Sequence, residues 1–283
     1  MADPTPAWDD KLLQNPHAVA DKRRRVQQMF AAIAPKYDLN NRLHSFWRDQ
    51  AWRRKAVKLA KLMATDVVVD VACGTGDLAF KFYDGLMWAT LRSLRKLESP
   101  CAMQVIGVDF TWEMLPRAAY KARTIGFGGH VGDRSTRHRL VNERGRRMAF
   151  VNGDAQALPL PDASADVVSI AFGIRNVQDV NAALREFHRV LRPGGRLIIL
   201  EFSRPRNRVI RYFNDLYCGK IMPHTATWIS GDKSGAYKYL PMSVQSFIDR
   251  DQMMAKMREA GFTQVEPFPM TFGVCVCYRG IKA

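Results

Sequence analysis

Apolar positions follow two different rhythms along this chain. Over residues 18–33, Val26, Met29, Phe30 and Ile33 recur at i, i+3, i+4 and i+7, which predicts a helix with one buried face. Trp52, Ala56, Leu59 and Met63 share one face of a second predicted helix over 48–63. Between them "APKYDLNNRLHSFW" is rich in aromatics and asparagine and is expected to be irregular. From residue 66 short, uniformly apolar runs alternate with amphipathic ones. "DVVVDVA" (66–72), "MQVIGVD" (103–109), "RMAFVNGD" (147–154), "ADVVSIAFG" (165–173) and "RLIILEFS" (196–203) predict strands. Helices are expected over 76–94, 111–123 and 180–191, the last closed by Pro193, Gly194 and Gly195.

Strands apolar on both faces and separated by helices call for a parallel sheet covered on both sides. The final stretch, "FTQVEPFPMTFGVCVCYRGIKA", holds two strands too close for a helical crossover, so it is read as an antiparallel hairpin through Gly273. The fold class that follows is α/β. It has a Rossmann-like, seven-stranded, mostly parallel sheet, an antiparallel C-terminal hairpin and an N-terminal helical cap. One domain is expected over 1–283, with a helical arm at 1–63 and an α/β core at 64–283.

Composition narrows this reading. The 283 residues are 47% hydrophobic, enough for a packed core. No run is long enough to span a bilayer, and the acidic, Pro-rich start is neither a signal nor a transit peptide, so the expected location is the cytoplasm. The five cysteines form no C-x-x-C pair and no zinc-like spacing; they are read as reduced thiols, with no metal site. The net charge of +16 is segregated. Residues 20–61 carry 12 Lys/Arg against 3 Asp/Glu, and 117–147 carry 9 against 2, which together make the whole excess. Such segregation suggests an anionic surface as partner.

The candidate chemistry begins where the first strand ends. Gly74, Gly76 and Ala79 fit G-x-G-x-x-A, so nicotinamide nucleotides and other nucleosides are both admitted. In open α/β sheets ligands lie at the carboxyl ends of strands. There Asp109 can accept from both ribose hydroxyls and Asp154, beside Ala155, can reach an adenine amino group. Three features favour S-adenosylmethionine over a dinucleotide. Asp70 precedes Gly74 in D-x-x-x-G-x-G, and Asp77 would repel a pyrophosphate yet suit an ammonium. Asp109 also lies 33 residues past Gly76 (109 minus 76), beyond the roughly 20 usual for a nicotinamide fold.

Four further stretches carry a family resemblance: "YDLNNRLHSFWRDQAW" (37–52), "AFGIRNVQD" (171–179), "RVLRPGGRLIILEFS" (189–203) and "GDKSGAYKYLPMSVQSF" (231–247). The chain resembles the ubiquinone/menaquinone biosynthesis C-methyltransferase family, of class I methyltransferase fold, from about Val26 to Ala283. The resemblance implies methylation of a ring carbon of a polyprenylated quinol, with demethylmenaquinol the preferred substrate and a ubiquinone-pathway benzoquinol the alternative. It carries over Thr75, Asp109, Asp154 and Ala155 as cofactor contacts, Gly74 and Gly76 as the glycine loop, and Arg175 and Asn176 as the catalytic pair. Asp70 joins the expected cofactor set, and Tyr37, Asp38 and Tyr239 are expected to line the quinol pocket. Asn40, His44, Trp47 and Asp49 differ from the family's commoner letters, Ala171 stands where a serine is frequent, and 83–104 and 124–147 are long.

Partners follow from the substrate class. A polyprenyl chain lives in a bilayer, so the stretches 22–25 ("KRRR") and 134–147 are expected to touch the anionic inner face of the cytoplasmic membrane. A nucleic-acid methyltransferase is disfavoured because no [DN]-P-P-[YF] clamp follows the fourth strand, so nucleic acid is not an expected partner. A homodimer stays open. His44 and His224 are weighed as bases, and Met222, Trp228 and Phe247 as an apolar channel.

Overall fold

The computed structural model describes residues 7–93, 104–124, 131–132, 147–232 and 234–283, and its apolar runs hydrogen-bond into one sheet. The arm supplies α1 (Lys22–Ile33), α2 (Tyr37–His44) and α3 (Arg48–Leu59). Then come β1 (Val67–Val71), α4 (Asp77–Ser93), β2 (Gln104–Asp109), α5 (Leu115–Thr124), β3 (Val131–Gly132), β4 (Arg147–Asn152) and β5 (Ala165–Ala171). After α6 (Val180–Val190) and β6 (Leu191–Phe202), the chain forms α7 (Arg208–Leu216), a π-helical turn (Tyr217–Ile221), α8 (Met222–Ser230), α9 (Ala236–Gln245) and α10 (Arg250–Glu259). It closes with β7 (Phe262–Met270) and β8 (Cys275–Lys282).

The strand order is β3-β4-β2-β1-β5-β6-β8-β7. All pairings are parallel except β6 with β8 and β8 with β7, which form the expected antiparallel edge. The seven expected strands are all present; β3 adds two residues beside β4. Of the two long segments at 83–104 and 124–147, residues 94–103, 125–130 and 133–146 lie outside the described residues.

Period-two alternation sorts the strand residues between two layers. Val68, Ile198 and Leu200 face α3, α4 and α5, with Phe82, Tyr83 and Leu86. Val69, Val71, Leu197 and Ile199 face α6 and α10, with Phe187 and Met257. Each fully buried Val, Leu, Ile or Phe contributes about 1.5–3 kcal/mol, so these two layers hold the strand ends in place.

Three local readings are corrected. The stretch expected to be irregular forms α2, because Asn40 donates to the buried Tyr237 hydroxyl at 2.6 Å and anchors the helix from outside its own sequence. The second predicted helix stops at Leu59, and Lys61 then takes a left-handed φ of 48°. Finally, β6 starts five residues early, at Leu191, and runs through Pro193-Gly194-Gly195 with a register shift against β5.

The arm packs back over the sheet's carboxyl end. Val26, Met29 and Ile33 of α1 join Trp8, Met222, Ala226 and Tyr239 in a third apolar cluster, in which Trp8 stacks on Tyr239 at 4.4 Å.

Candidate active site

Two cavities adjoin at the carboxyl ends of the strands, sharing Phe30, Tyr37 and Phe172 as a common wall. The smaller, about 100 Å³, is bounded by Gly74, Asp109, Asp154, Ala155 and Asn176, with Arg23 and Val26 of α1 above. Gly74 holds a φ of 54°, and a Cβ added there meets nothing nearer than Tyr37 at 4.0 Å, so its backbone stays open to the cavity. Its amide donates to Asp109 Oδ2 at 2.7 Å, and the Thr111 amide donates to Oδ1 at 2.7 Å. Burial lifts the Asp109 pKa to about 6 against the pull of those amides. Each carboxylate oxygen keeps a further lone pair for a ligand.

Asp154 is engaged from two sides. Its Oδ1 accepts from the Gln156 amide at 2.9 Å, and its Oδ2 meets Arg23 Nη2 at 3.2 Å. The Arg23 guanidinium also lies 4.5 Å over the Phe110 ring, a contact no motif announced.

Other members of the expected cofactor set stand behind the loop. Asp70 lines neither cavity; it is buried under the glycine turn, where Ser169 Oγ donates to its Oδ1 at 2.7 Å and its Oδ2 has no partner among the described residues. Burial raises its pKa to about 7. Gly76 serves packing: its φ is 86° and a Cβ would approach Phe80 to 2.9 Å. Thr75 donates to Asp38 Oδ1 at 2.6 Å, and Lys121 Nζ reaches Asp38 Oδ2 at 3.0 Å and Asp77 Oδ1 at 2.5 Å. Thr75 and Asp38 therefore face each other across the loop, and neither lines either cavity. Burial opposes ionisation of Asp77, yet Lys121, Arg53 and Arg42 hold its pKa below the ordinary value.

The larger cavity, about 460 Å³, is apolar for most of its wall, with Met29, Ile33, Trp52, Phe202, Met222 and Tyr239 among its lining. Arg175 lines it and is itself buried. Its Nη1 donates to Glu201 Oε1 at 2.6 Å and to the Phe172 carbonyl at 2.8 Å, and its Nε donates to Ser243 Oγ at 3.3 Å. Among the described residues Nη2 has no hydrogen-bond partner. The guanidinium also lies 5.5 Å over the Phe202 ring. Asp179, four residues along from Arg175, caps α6 by accepting from the Asn181 and Ala182 amides.

The structure brings Asn176 and Tyr239 together: the Tyr239 hydroxyl donates to Asn176 Oδ1 at 3.0 Å, while Asn176 Nδ2 donates to the Phe172 carbonyl at 3.3 Å. Burial raises the pKa of the Tyr239 phenol, so it keeps its proton. Tyr37 lines both cavities, its phenol pKa also raised by burial.

Several site residues escaped the sequence. Arg53, lining the larger cavity, pairs with buried Asp49 at 3.0 Å and lies 5.2 Å over Phe172, with Nε unpartnered among the described residues. Glu201 was visible only as an acid inside the apolar run "LIILEFS". Ala171, at the position where a serine is frequent, lines the smaller cavity. His44 is occupied at both ring nitrogens, by the Asn40 carbonyl and Thr225 Oγ1, and His224 is an exposed residue lining neither cavity. Of the presumed channel residues, Met222 lines the larger cavity whereas Trp228 is exposed and Phe247 packs under His17.

The "KRRR" stretch is largely turned to partners within the chain. Lys22 is buried, donating to the Arg175 and Val177 carbonyls at 2.9 and 2.7 Å. Arg23 is held by Asp154, and Arg25 by Asp21 and the Ala7 carbonyl. Three of the four cations are thus engaged within the chain. Residues 134–146 of the second basic stretch lie outside the described residues.

A glycine loop at the end of β1, acids at the ends of β2 and β4, and an adjoining apolar cavity are the setting in which the comparisons with known proteins fall. The model of the ubiE/COQ5 methyltransferase family matches residues 18–282. The chain belongs to the ubiE/COQ5 methyltransferase family. It is 40% identical over 252 residues to a demethylmenaquinone methyltransferase of Thermus thermophilus, covering 89% of this chain and 99% of that one. It is 34% identical over 264 residues to the ubiquinone/menaquinone biosynthesis C-methyltransferase UbiE of Geotalea daltonii, covering 93% and 99%. In fold, this ubiE/COQ5 member is similar to a Thermotoga maritima SAM-dependent methyltransferase of known structure. That likeness has a TM-score of 0.53 at 20% identity, over 90% of this chain and 99% of the other. The sheet with its antiparallel C-terminal hairpin is accordingly that of the class I methyltransferases.

Proposed function

We propose that the protein is an S-adenosylmethionine-dependent C-methyltransferase that adds a methyl group to the ring of a polyprenylated quinol, with demethylmenaquinol as substrate. Family membership supports the reaction class, and the name of the Thermus relative supports the naphthoquinol. The observation that carries the reading is Arg175. It is a buried cation with a free Nη2, lining an apolar cavity that shares a wall with the glycine-loop cavity.

The residues bounding the smaller cavity suit the cofactor. Asp109 would accept from the ribose hydroxyls, Gly74 would let the ligand approach its backbone, and Asp154 would take the adenine amino group once Arg23 yields it. When bound, S-adenosylmethionine supplies an electrophilic methyl group on a sulfonium.

The rest of the work falls to the chain. A quinol ring carbon becomes nucleophilic as its hydroxyl ionises, and a fixed guanidinium in an apolar-walled cavity stabilises the phenolate that forms. Glu201 fixes that guanidinium through Nη1 and leaves Nη2 for the oxygen. Arg175 stays protonated and is not the base; the phenolic proton, and later the ring proton at the methylated carbon, leave to water. Asn176, held by Tyr239 and Phe172, has one amide hydrogen left to orient a substrate oxygen. The apolar wall excludes bulk water and holds the ring against the methyl donor, the entropic part of the barrier.

The test is mass spectrometry after incubating the protein with S-adenosylmethionine and reduced demethylmenaquinone, with the demethylated benzoquinol in parallel. One added methyl on the naphthoquinol, absent without reductant, is the expected result. Methylation of the benzoquinol alone would reverse the substrate assignment, and none in either tube would overturn the reading.

A further inference from the structure

Helix α7 has its apolar stripe on the wrong side for a globular protein. Val209, Tyr212, Phe213 and Leu216 stand at i, i+3, i+4 and i+7, the spacing that normally faces a core. Here no residue of α7 is buried, and Val209, Tyr212 and Phe213 are 62–66% exposed. The stripe continues to Ile221, also exposed. Beside it, Phe46 and Trp47 hold left-handed φ values of 51° and 59° and are 69% and 58% exposed. Phe46 touches Tyr217 at 5.7 Å between ring centroids, so the two groups form one surface. Phe46, Asn214, Asp215 and Tyr217 also line the larger cavity, which places this surface at its mouth.

We propose that α7 and the Phe46–Trp47 turn are the face by which this protein docks on an anionic lipid bilayer. Its chemistry suits that occupant. Segment 204–221 holds Arg204, Arg206, Arg208, Arg211 and Lys220 against the single acid Asp215, and Asp215 is spent on Arg204. Arg208, Arg211 and Lys220 form no ion pair among the described residues. A two-fold partner copy would bring these cations face to face, whereas an anionic headgroup layer neutralises them. Trp, Tyr and Phe beside cations are also the side chains that settle at the headgroup level. No helix among the described residues is long and apolar enough to cross a membrane, so the contact is peripheral. The choice of a bilayer over another apolar partner rests in part on the polyprenyl chain of the proposed substrate. With the cavity mouth on this face, such a chain passes from lipid to ring site without crossing water.

The test is co-sedimentation of the full chain with vesicles of phosphatidylglycerol and phosphatidylcholine, and with phosphatidylcholine alone. Wild type should sediment with the anionic vesicles. A Val209→Ser/Phe213→Ser variant should lose binding by roughly tenfold or more, with an unchanged melting temperature. Arg208→Glu/Arg211→Glu should lose it as well. Failure of wild type to sediment, or undiminished binding by both variants, overturns the proposal. So does a wild-type dimer in light scattering that Phe213→Ser converts to monomer, since the face then belongs to a second copy. Vesicle binding is read without turnover, so loss of binding in the variants alongside absent quinol methylation would sink the proposed reaction and leave the docking face standing.

Discussion

Lys22 Nζ on α1 donates to the main-chain carbonyl of Arg175 at 2.9 Å, fastening the arm to the turn that carries the proposed catalytic cation. The ammonium is enclosed by the Val177 carbonyl at 2.7 Å and His17 Nδ1 at 3.2 Å. Burial, helped by the charge of Arg175, lowers its pKa to about 8. The folded chain therefore gives up this proton well before the unfolded chain, whose lysine titrates near 10.5.

That difference has a sign. Between about pH 8 and about 10.5 the unfolded state holds more protons, so the Lys22 contribution to stability rises with pH across this window. Relative to Lys22→Met, wild type should gain up to about 3 kcal/mol over the window. Urea denaturation of both proteins at several pH values measures it. A difference that stays flat contradicts an enclosed ammonium.

The Arg175–Glu201 pair separates stability from chemistry. Either Glu201→Gln or Arg175→Met leaves one buried partner uncompensated, and each should cost about 3–5 kcal/mol in chemical denaturation. The double variant Arg175→Met/Glu201→Met should recover most of that loss. It should nevertheless stay about 100-fold or more below wild type in kcat, because the phenolate has lost its cation. A double variant that turned over normally would remove Arg175 from the mechanism.

The two loop glycines should fail differently. Gly76→Ala forces a Cβ against Phe80 at a φ of 86°, and the left-handed backbone alone costs about 1–2 kcal/mol, so the melting temperature should fall. Gly74→Ala carries a similar backbone cost but points its methyl into the open cavity. Its larger effect should appear in calorimetric titration with S-adenosylhomocysteine. Equal cofactor affinities for the two variants would mean that Gly74 does not face the ligand.

If Asp109 holds the ribose as proposed, it should set a pH limit on cofactor binding. With its pKa lifted to about 6, protonation removes the ribose acceptor as pH falls through that value. Affinity for S-adenosylhomocysteine should therefore weaken below about pH 6, and Asp109→Asn should lose roughly tenfold or more at neutral pH with a flattened profile. Calorimetry across this range decides it; a steep profile retained in the variant would assign the titration elsewhere.

Much of this was legible in the residues. Strands such as β1 and β6 are apolar on both faces because helices cover both, and that pattern needs no tertiary knowledge. The strand-end acids follow from β-α-β topology, which aligns Asp109 and Asp154 with the glycine turn. What stayed hidden depends on contacts distant in sequence. Helix α2 is fixed by Tyr237, almost two hundred residues away, and the partner of Arg175 proved to be Glu201 rather than the nearby Asp179. Gly76 satisfied a ligand motif while answering to Phe80. The spacing of α7 marks a helix, yet spacing alone gives no hint that its apolar side faces outward.

The wall shared by Phe30, Tyr37 and Phe172 has a practical consequence for anyone dissecting this enzyme. A side chain enlarged on that wall takes volume from both cavities, and one made smaller merges them. Two apparent Michaelis constants will then move together after a single substitution, and neither can be read as the affinity of its own ligand. Equilibrium titrations with one ligand at a time, repeated with the other at saturation, are what separate the two effects.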